Sequence, residues 1–365
     1  MSRSYRNRIL GILAMAAAAG VLIVIALLAR GKSKEGIVRH SFAMGSAVTL
    51  TLYGDEKDLE GIAEIAEKEI KTLDEEILSH RIPGSELSRW NREAAAGEKV
   101  KISTRLHQAL SEGILIYESG GHVLDLTLRP VLDVWGIEDK TAADFRVPSE
   151  EELSQALEKT GMENLHIEDD GLVRDREDIT LDLGAVGKGY ALDAVYDKLT
   201  SGEGIEKPYF VPGDRKNQVM GGVIAVGGSV MVFGEKPDGK DFRVGIRDPE
   251  GLPENTVGII SFPSGTKKMC ISTSGGYEKY IEKDGVKYHH IIDPRTGKPS
   301  DSGLRSVTVV CENGLLSDGL STACFILGVE DGKKLLEKMS AEGVFLLEDG
   351  GVVITDGLKD RVVMQ

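Results

Sequence analysis

The stretch LDLGAVGKGYALDAV, residues 181–195, predicts a short apolar strand that ends at Asp182 and a glycine-rich turn that leads into a helix. Such turns often bind phosphate, because free backbone N–H groups point outward there and the helix dipole favours an anion. The glycines lie too close together for the phosphate loop of nucleotide triphosphatases, and no hydroxyl residue follows Lys188. Their order also differs from the dinucleotide fingerprint G-x-G-x-x-G. The stretch therefore indicates a phosphate ligand without a common nucleotide motif.

Two charged residues distinguish this turn from a purely structural one. Asp182 can accept a hydrogen bond from a ligand N–H group, and Lys188 can contact a phosphate within the same short turn. A tight turn without a ligand is the alternative, since glycine also serves turns for conformational reasons alone.

Composition limits the classes of partner. The chain has 365 residues, of which 41% are hydrophobic and 28% are charged, as is usual for a globular protein. Its formal net charge of −15 argues against a nucleic-acid partner, which needs a basic surface. A phosphate ligand must therefore be held locally, by backbone N–H groups, a few cations or a metal ion.

Cys270, Cys311 and Cys324 have no CxxC spacing, and we expect them to be buried packing residues rather than metal ligands.

The chain begins with a long apolar run, ILGILAMAAAAGVLIVIALLA (9–29), between two basic segments. About 20 apolar residues span a bilayer, whereas the core of a cleaved signal peptide has about 7–15. We therefore expect residues 1–33 to be a membrane anchor or signal segment, with an uncleaved transmembrane helix favoured. Because basic residues flank both ends, the positive-inside rule does not decide the orientation. We expect the rest of the chain to lie at the cytoplasmic membrane, on its extracytoplasmic side.

Residues 40–365 alternate between strand and helix patterns and contain no repeat or obvious linker. The patterns predict a strand with a glycine break at 41–54, helices at 58–79 and 105–121, a strand pair within 163–183, a second strand pair at 221–234, a hairpin around Asp284–Gly285 and a helix at 317–328. This arrangement is typical of one α+β domain.

The helix SDGLSTACFILG (317–328) carries a candidate metal site. Asp318 and Thr322 are four residues apart and therefore project from one helical face. A carboxylate and a hydroxyl one turn apart suit Mg²⁺, which keeps positions free for substrate phosphate. The alternative is a dipole-stabilising acid and a threonine bonded to its own helix.

The run YHHIIDPRTG places His290 at the end of a strand, before a rigid turn. Histidine is the side chain whose ordinary pKa best suits a general base near neutral pH. A purely structural histidine is the equally weighted alternative.

Taken together and in this order, the motifs between Ser41 and Gly328 resemble the FAD:protein FMN transferase (ApbE) family. They are FAMGS, SELSRWN, GGHVLDLTLRPVLDVWGI, LDLGAVGKGYALDAV, AVGGSVMVFG, STSGGYEKY, HHIIDPRTGKP and SDGLSTACFILG. The resemblance implies a single T-fold-related domain with mixed sheets and flanking helices. It also implies a magnesium-dependent enzyme that splits FAD, joins the FMN half to a threonine or serine hydroxyl of another protein through a phosphoester bond, and releases AMP.

The resemblance implies roles for individual residues. Catalytic roles fall to His290, as the base for the acceptor hydroxyl, and to Asp318. The positions that match flavin or FAD contacts are Met44, Asp125, Asp182, Lys188 and Ile292. The positions that match magnesium ligands are Ala185 through its carbonyl, Asp318 and Thr322, with Ser321 adjacent. The chain departs from the family pattern at Arg81, where an aromatic residue is frequent near the flavin, and at Arg129, where glycine is common.

The partners implied are FAD and an acceptor flavoprotein with a Ser/Thr-containing motif, typically a membrane or extracellular redox protein. Two other functions stay open at the level of sequence. An FAD pyrophosphatase would pass the same phosphoryl group to water, and a membrane-anchored flavin carrier would bind FAD without turnover.

Overall fold

The computed structural model describes residues 36–138, 140–202, 207–214, 216–252 and 254–365. Its α-helices are α1 Glu56–Thr72, α2 Glu86–Glu93, α3 Thr104–Ser119, α4 Arg129–Trp135, α5 Glu150–Leu157, α6 Gly187–Ser201 and α7 Gly314–Lys338. Its strands are β1 Ile37–Ala43, β2 Ser46–Gly54, β3 Val100–Lys101, β4 Leu165–Glu168, β5 Gly171–Arg174, β6 Val219–Val226, β7 Ser229–Gly234, β8 Phe242–Arg247, β9 Thr256–Phe262, β10 Thr266–Gly275, β11 Tyr280–Lys283, β12 Val286–His289, β13 Ile292–Asp293, β14 Lys298–Pro299, β15 Leu304–Cys311, β16 Glu342–Leu347, β17 Val352–Ile354 and β18 Val362–Met364.

A large sheet organises the described part of the chain, with strand order β1-β2-β6-β7-β10-β15-β16-β17. Each pair of neighbouring strands in it is antiparallel. The expectation of mixed sheets is therefore wrong for the described residues. The physical reason is that several neighbours, such as β6 and β7, are joined by tight turns, which only antiparallel strands allow.

The large sheet is buried on both faces. In β7, Met231 and Phe233 pack into the core beneath the helices, whereas Val230 and Val232 pack into a second core. The small sheet β18-β9-β8 covers that second face. Because successive side chains of a strand point to opposite faces, a strand covered on both sides is apolar throughout.

Helix α1 forms because Asp55 caps its first turn by accepting a hydrogen bond from the Lys57 amide, and because apolar residues recur on one face. The helix continues as the π-helical turn Leu73–Leu78, whose Leu73, Ile77 and Leu78 are buried. The chain then leaves the helix at Ser79, which brings the following residues to the site described below.

Two strand expectations change in detail. Residues 41–54 form not one interrupted strand but two antiparallel strands, in which Ala43 pairs with Ser46 across a Met44–Gly45 turn. Residues 181–183 form no strand, because the backbone N–H and C=O groups of Leu181 bond to the Asn91 side chain and the Asp182 amide bonds to the Leu126 carbonyl. The hairpin around Asp284–Gly285 is confirmed as β11 and β12.

A transmembrane helix as part of the fold is not supported: within the described ranges no helix is long and apolar enough to cross a membrane. Helix α7 is kinked at Gly328, whose backbone is not helical (φ 78°), and the part after the kink carries charged residues such as Asp331 and Lys334. The predicted anchor, residues 1–33, lies outside the described residues. The corrected description is an α+β fold without an assigned membrane span, and the boundaries 1–33 and 40–365 stay predictions.

Candidate active site

A cavity of about 450 Å³ opens at one end of the large sheet. Its walls come from segments far apart in sequence, among them the β1–β2 turn, the glycine-rich turn before α6, the β6–β7 turn and the start of α7. The cavity is lined by nine of the predicted site residues: Met44, Asp125, Asp182, Ala185, Lys188, His290, Ile292, Asp318 and Thr322. Ser321 does not line it.

Asp318 is held in place by three groups. Its Oδ2 accepts a hydrogen bond from the Gly189 amide at 2.9 Å, and its Oδ1 accepts one from the Ser229 hydroxyl at 3.1 Å. The Lys188 ammonium lies 3.3 Å from Oδ1. The buried Asp318 carboxylate is therefore oriented from two other elements, α6 and β7.

The close approach of α6 and α7 explains why a glycine stands at position 189. A Cβ there would overlap the Gly314 carbonyl oxygen and lie 2.7 Å from the Cβ of Asp318. The glycine thus allows the backbone amide that orients Asp318 to come within hydrogen-bond distance.

Hydroxyl groups fasten the start of α7 to β10. The Ser274 hydroxyl lies 2.7 Å from the Ser321 hydroxyl and 3.1 Å from that of Thr322. Ser321 also donates to the Asp318 carbonyl at 2.8 Å. The Ser321 hydroxyl is therefore engaged inside the protein, while Asp318 and Thr322 face the cavity as their spacing predicts.

The donor set fits a hard divalent cation. The Asp318 carboxylate, the Thr322 hydroxyl and the Ala185 carbonyl are oxygen groups on one cavity, and Mg²⁺ typically binds one or two carboxylates together with substrate phosphates and water. In the described part of the chain, no group of three or more His, Cys, Asp or Glu residues is placed to hold a metal ion.

Lys188 projects into the cavity from the first turn of α6. Its ammonium donates to the Gly184 carbonyl at 3.2 Å, in addition to its contact with Asp318. Burial lowers the pKa of Lys188, but the Asp318, Glu278 and Glu138 carboxylates together outweigh burial and the net pKa is raised. The side chain is therefore a partly buried, charged ammonium next to the proposed cation ligands.

Asp182 has partners that the sequence did not reveal. His80 Nδ1 lies 3.4 Å from its Oδ1, and Arg129 lies 3.5 Å from its Oδ2. Arg129 also lies 2.7 Å from His80 Nε2, so Nδ1 is the ring nitrogen of His80 that faces Asp182. Burial raises the pKa of Asp182, but His80, the Gly184 amide and Arg129 together hold it well below its usual range.

His290 follows strand β12 directly. Its backbone amide donates to the Lys279 carbonyl at 3.1 Å, and its Nδ1 lies 3.2 Å from the same oxygen. A carbonyl can only accept, so Nδ1 carries the hydrogen and Nε2 is free to accept a proton. Burial and the Lys279 charge lower the pKa of His290 to about 3, against the opposing charge of Glu138. The imidazole is therefore neutral at physiological pH.

An ion-pair bridge borders the cavity beside His290. Glu138 accepts from the Lys279 ammonium at 2.6 Å and from the Arg81 guanidinium at 2.7 Å. Burial raises the pKa of Glu138, but Lys279 and Arg81 bring it below its ordinary value. Arg81, where the chain departs from the family pattern, is thus paired with Glu138. No local sequence signal identified this partner.

The rest of the cavity is lined by both polar and apolar residues. Asp125 accepts from the backbone amide of Thr127 at 2.7 Å, and burial nevertheless raises its pKa. Met44 has φ 54°, in the left-handed region, and its amide donates to Asp74 at 2.6 Å. The apolar lining includes Leu124, Leu128, Trp135, Ile137, Ile292 and Ile326.

Glu278 is a cavity residue that sequence reasoning missed. Its Oε1 is buried and has no hydrogen-bond partner. Burial raises its pKa to about 7, although Lys188 and Lys279 oppose that rise. The local pattern YEKY resembles an ordinary strand, so no signal distinguished this carboxyl from a solvent-exposed one.

Comparison with known proteins points to one family. A family model described as the ApbE family matches residues 44–345. An FAD:protein FMN transferase of Vibrio cholerae is 34% identical over 253 residues, which cover 69% of this chain and 70% of the relative. An FAD:protein FMN transferase of Haemophilus influenzae is 26% identical over 341 residues, which cover 91% and 93% of the two chains.

Solved structures show the same similarity. The ApbE protein of Thermotoga maritima superposes with a TM-score of 0.77 at 27% identity, covering 90% of this chain and 99% of its own. The flavin transferase ApbE of Vibrio cholerae superposes with a TM-score of 0.74 at 26% identity and the same coverage.

Proposed function

Because the chain belongs to the ApbE family, we propose that it is an FAD:protein FMN transferase that requires Mg²⁺. The observation that carries this proposal is the convergence, on one cavity, of Asp318 and Thr322 with a neutral His290. Oxygen ligands for a cation and a base for a hydroxyl are what phosphoryl transfer to a protein side chain needs.

The cavity has separate regions for two parts of FAD, the flavin ring and the diphosphate. Its apolar lining, which includes Ile292, would hold the flavin ring together with Met44 and the Asp125 carboxyl, and its other polar groups would hold the diphosphate. At the start of α6 the helix dipole favours phosphate, and Lys188 adds a positive charge. The volume of the cavity lies within the range of about 300–1,000 Å³ that is usual for small-molecule sites.

Asp318, Thr322 and the Ala185 carbonyl would hold Mg²⁺. When bound, this cation would neutralise the charge of the pyrophosphate and stabilise the leaving AMP. The Gly189 amide and the Ser229 hydroxyl keep the Asp318 carboxylate oriented towards the cavity.

In the transfer step, His290 Nε2 accepts the proton of the acceptor hydroxyl while the Lys279 carbonyl fixes the ring through Nδ1. The acceptor oxygen forms a bond to the phosphorus of the FMN half, and the bond from that phosphorus to the oxygen of AMP breaks. The products are a phosphoester-linked flavin on the acceptor and free AMP. The negative charge of the diphosphate would raise the low pKa of His290. The pKa of this base would then lie closer to the pH at which it works.

The acceptor is proposed to be a protein with a Ser/Thr-containing motif. Its identity as a membrane or extracellular redox protein, and an extracytoplasmic location of the enzyme, stay predictions from the sequence.

The proposal is tested by the intact mass of a threonine-bearing acceptor domain after incubation with the full-length chain, FAD and Mg²⁺. A mass gain of one FMN minus water, abolished by EDTA, is the expected result. Release of FMN and AMP without a mass gain, also with other acceptor domains, would indicate a pyrophosphatase. Intact FAD after long incubation would indicate a carrier.

A further inference from the structure

A cation bound at Asp318 would compete with the Lys188 ammonium for the same carboxylate. Its ammonium is 3.3 Å from the Oδ1 of Asp318, the carboxylate proposed to bind Mg²⁺. Two positive charges at one carboxylate repel each other strongly in a site of low dielectric constant. A divalent cation at Asp318 would therefore displace the Lys188 ammonium, which is about three-quarters buried and gains from another anionic partner.

Glu278 has the properties of that partner. It lines the same cavity, its Oε1 is buried without a hydrogen bond, and its charge acts on Lys188. An unpaired buried carboxyl is costly and gains from a cation that comes within contact. The charged groups that face Glu278 are Lys188, Lys279, Arg247 and Asp318.

The β6–β7 turn lies beside both side chains. A Cβ on Gly227 would lie 3.3 Å from the Cδ of Lys188, and a Cβ on Gly228 would lie 3.3 Å from the Oε1 of Glu278. The Lys188 and Glu278 side chains thus approach two adjacent residues of the same turn.

We propose that Glu278 is a positioning residue that receives the Lys188 ammonium when a divalent cation binds Asp318. Lys188 then remains charged and inside the cavity, close to where the diphosphate of FAD is proposed to lie. This inference rests on the metal site of the proposed function.

The test is the affinity for Mg²⁺ alone, measured by isothermal titration calorimetry on the full-length chain without FAD. Glu278→Gln is expected to weaken Mg²⁺ binding about tenfold, because the displaced ammonium has lost its partner. Lys188→Met is expected to tighten it, because the competing cation is gone. In the Lys188→Met background, Glu278→Gln is expected to change the affinity by less than about twofold.

Controls separate this role from a general effect of charge or folding. Glu282→Gln makes the same change of charge on the exposed part of β11 and is expected to bind Mg²⁺ like the wild type. Glu278→Asp, which keeps a carboxylate, is expected to recover part of the lost affinity. Thermal melting of each variant checks that it is folded.

Two results would overturn the inference while leaving the metal site intact. One is equal Mg²⁺ affinity in the wild type and Glu278→Gln. The other is the same loss in the Lys188→Met background, which would mean that Glu278 attracts the cation directly. A wild type that takes up no Mg²⁺ would overturn the proposed metal site together with this inference.

Discussion

At the scale of single residues, the electrostatics of the cavity depend on charged groups whose partners are distant in sequence. Asp182 meets His80 and Arg129, and Glu138 joins Arg81 to Lys279. The contacts of Asp182 keep it ionised, whereas burial and the Lys279 charge leave His290 neutral, so an acceptor of hydrogen bonds and an acceptor of protons coexist in one cavity. Burial and neighbouring charge, rather than residue type, decide which carboxyl or imidazole does which task.

Replacing His290 by alanine should abolish transfer while leaving FAD binding intact. Loss of a general base costs on the order of 10²–10⁴ in rate, and the side chain is not expected to be needed for the flavin to bind. Transfer would be followed by intact mass and FAD binding by fluorescence quenching. His166→Ala, which removes an exposed imidazole, is the control and should transfer FMN normally. Near-normal transfer by His290→Ala would show that another group takes the proton.

Glu278→Gln should become more stable relative to the wild type as the pH rises. The pKa of Glu278 is raised from 4.5 to about 7, so the folded protein holds this proton more tightly than the unfolded chain. The cost of ionising it is absent below pH 4.5 and complete above about pH 7. Urea unfolding in the absence of Mg²⁺ should show a relative gain of at most about 3 kcal/mol across that window. A constant difference between the two proteins would contradict the raised pKa.

At the scale of elements, the crossing of α6 and α7 builds the proposed metal site. The Gly189 amide reaches Asp318 only because neither glycine at the crossing, Gly189 or Gly314, carries a side chain. The hydroxyl contacts of Ser274 hold the same part of α7 against β10. The site therefore depends on helix packing as much as on its ligands.

Gly189→Ala should destabilise the protein and weaken its response to Mg²⁺. The added Cβ overlaps the Gly314 carbonyl oxygen, and overpacking of this kind costs about 1–3 kcal/mol. Denaturant unfolding and Mg²⁺ titration measure the two effects. Gly187→Ala lies two residues earlier in the same helix, where the nearest atom to a Cβ is 3.9 Å away, and its unfolding free energy should not fall. Equal stability of both variants would mean that the helices separate at little cost.

At the scale of the whole molecule, a rigid sheet buried on both faces carries a site made of turns and helix ends. The formal net charge is −15, and the cavity wall is also rich in carboxyl groups: Arg81, Arg129, Lys188 and Lys279 lie beside Asp74, Asp125, Glu138, Asp182, Glu278 and Asp318. Attraction of an anionic ligand therefore depends on individual cations close to it, within a Debye length of about 10 Å, and on a bound metal ion, rather than on the charge of the whole molecule.

FAD together with Mg²⁺ should stabilise the fold, because a ligand that binds only the folded state adds RT ln(1 + [L]/Kd). At one hundred times Kd this amounts to about 2.7 kcal/mol and a measurable rise in Tm. In Asp318→Asn, the part of the rise that Mg²⁺ adds should disappear while the part due to FAD alone persists. If Mg²⁺ still raised the Tm of this variant in the presence of FAD, the cation would bind elsewhere.

The sequence by itself determined the local features: the α+β class, the hairpin before His290, the shared helical face of Asp318 and Thr322, and the glycine-rich turn before α6. Each depends on periodicity or turn chemistry over a few residues, and such signals survive without tertiary contacts. The family resemblance implied mixed sheets, and the local pattern predicted a strand at 181–183. Both expectations were wrong, because strand pairing is decided by partners far along the chain.

Only the tertiary structure decided the electrostatics of the site. The meeting of Asp182 with His80 and Arg129, the bridge through Glu138, and the unpaired oxygen of Glu278 have no sequence signature. A pKa depends on burial and on charges brought close by folding, and neither quantity is local in the chain. For the same reason Ser321, although next to the cavity residue Thr322 in sequence, turned out to bond inside the protein.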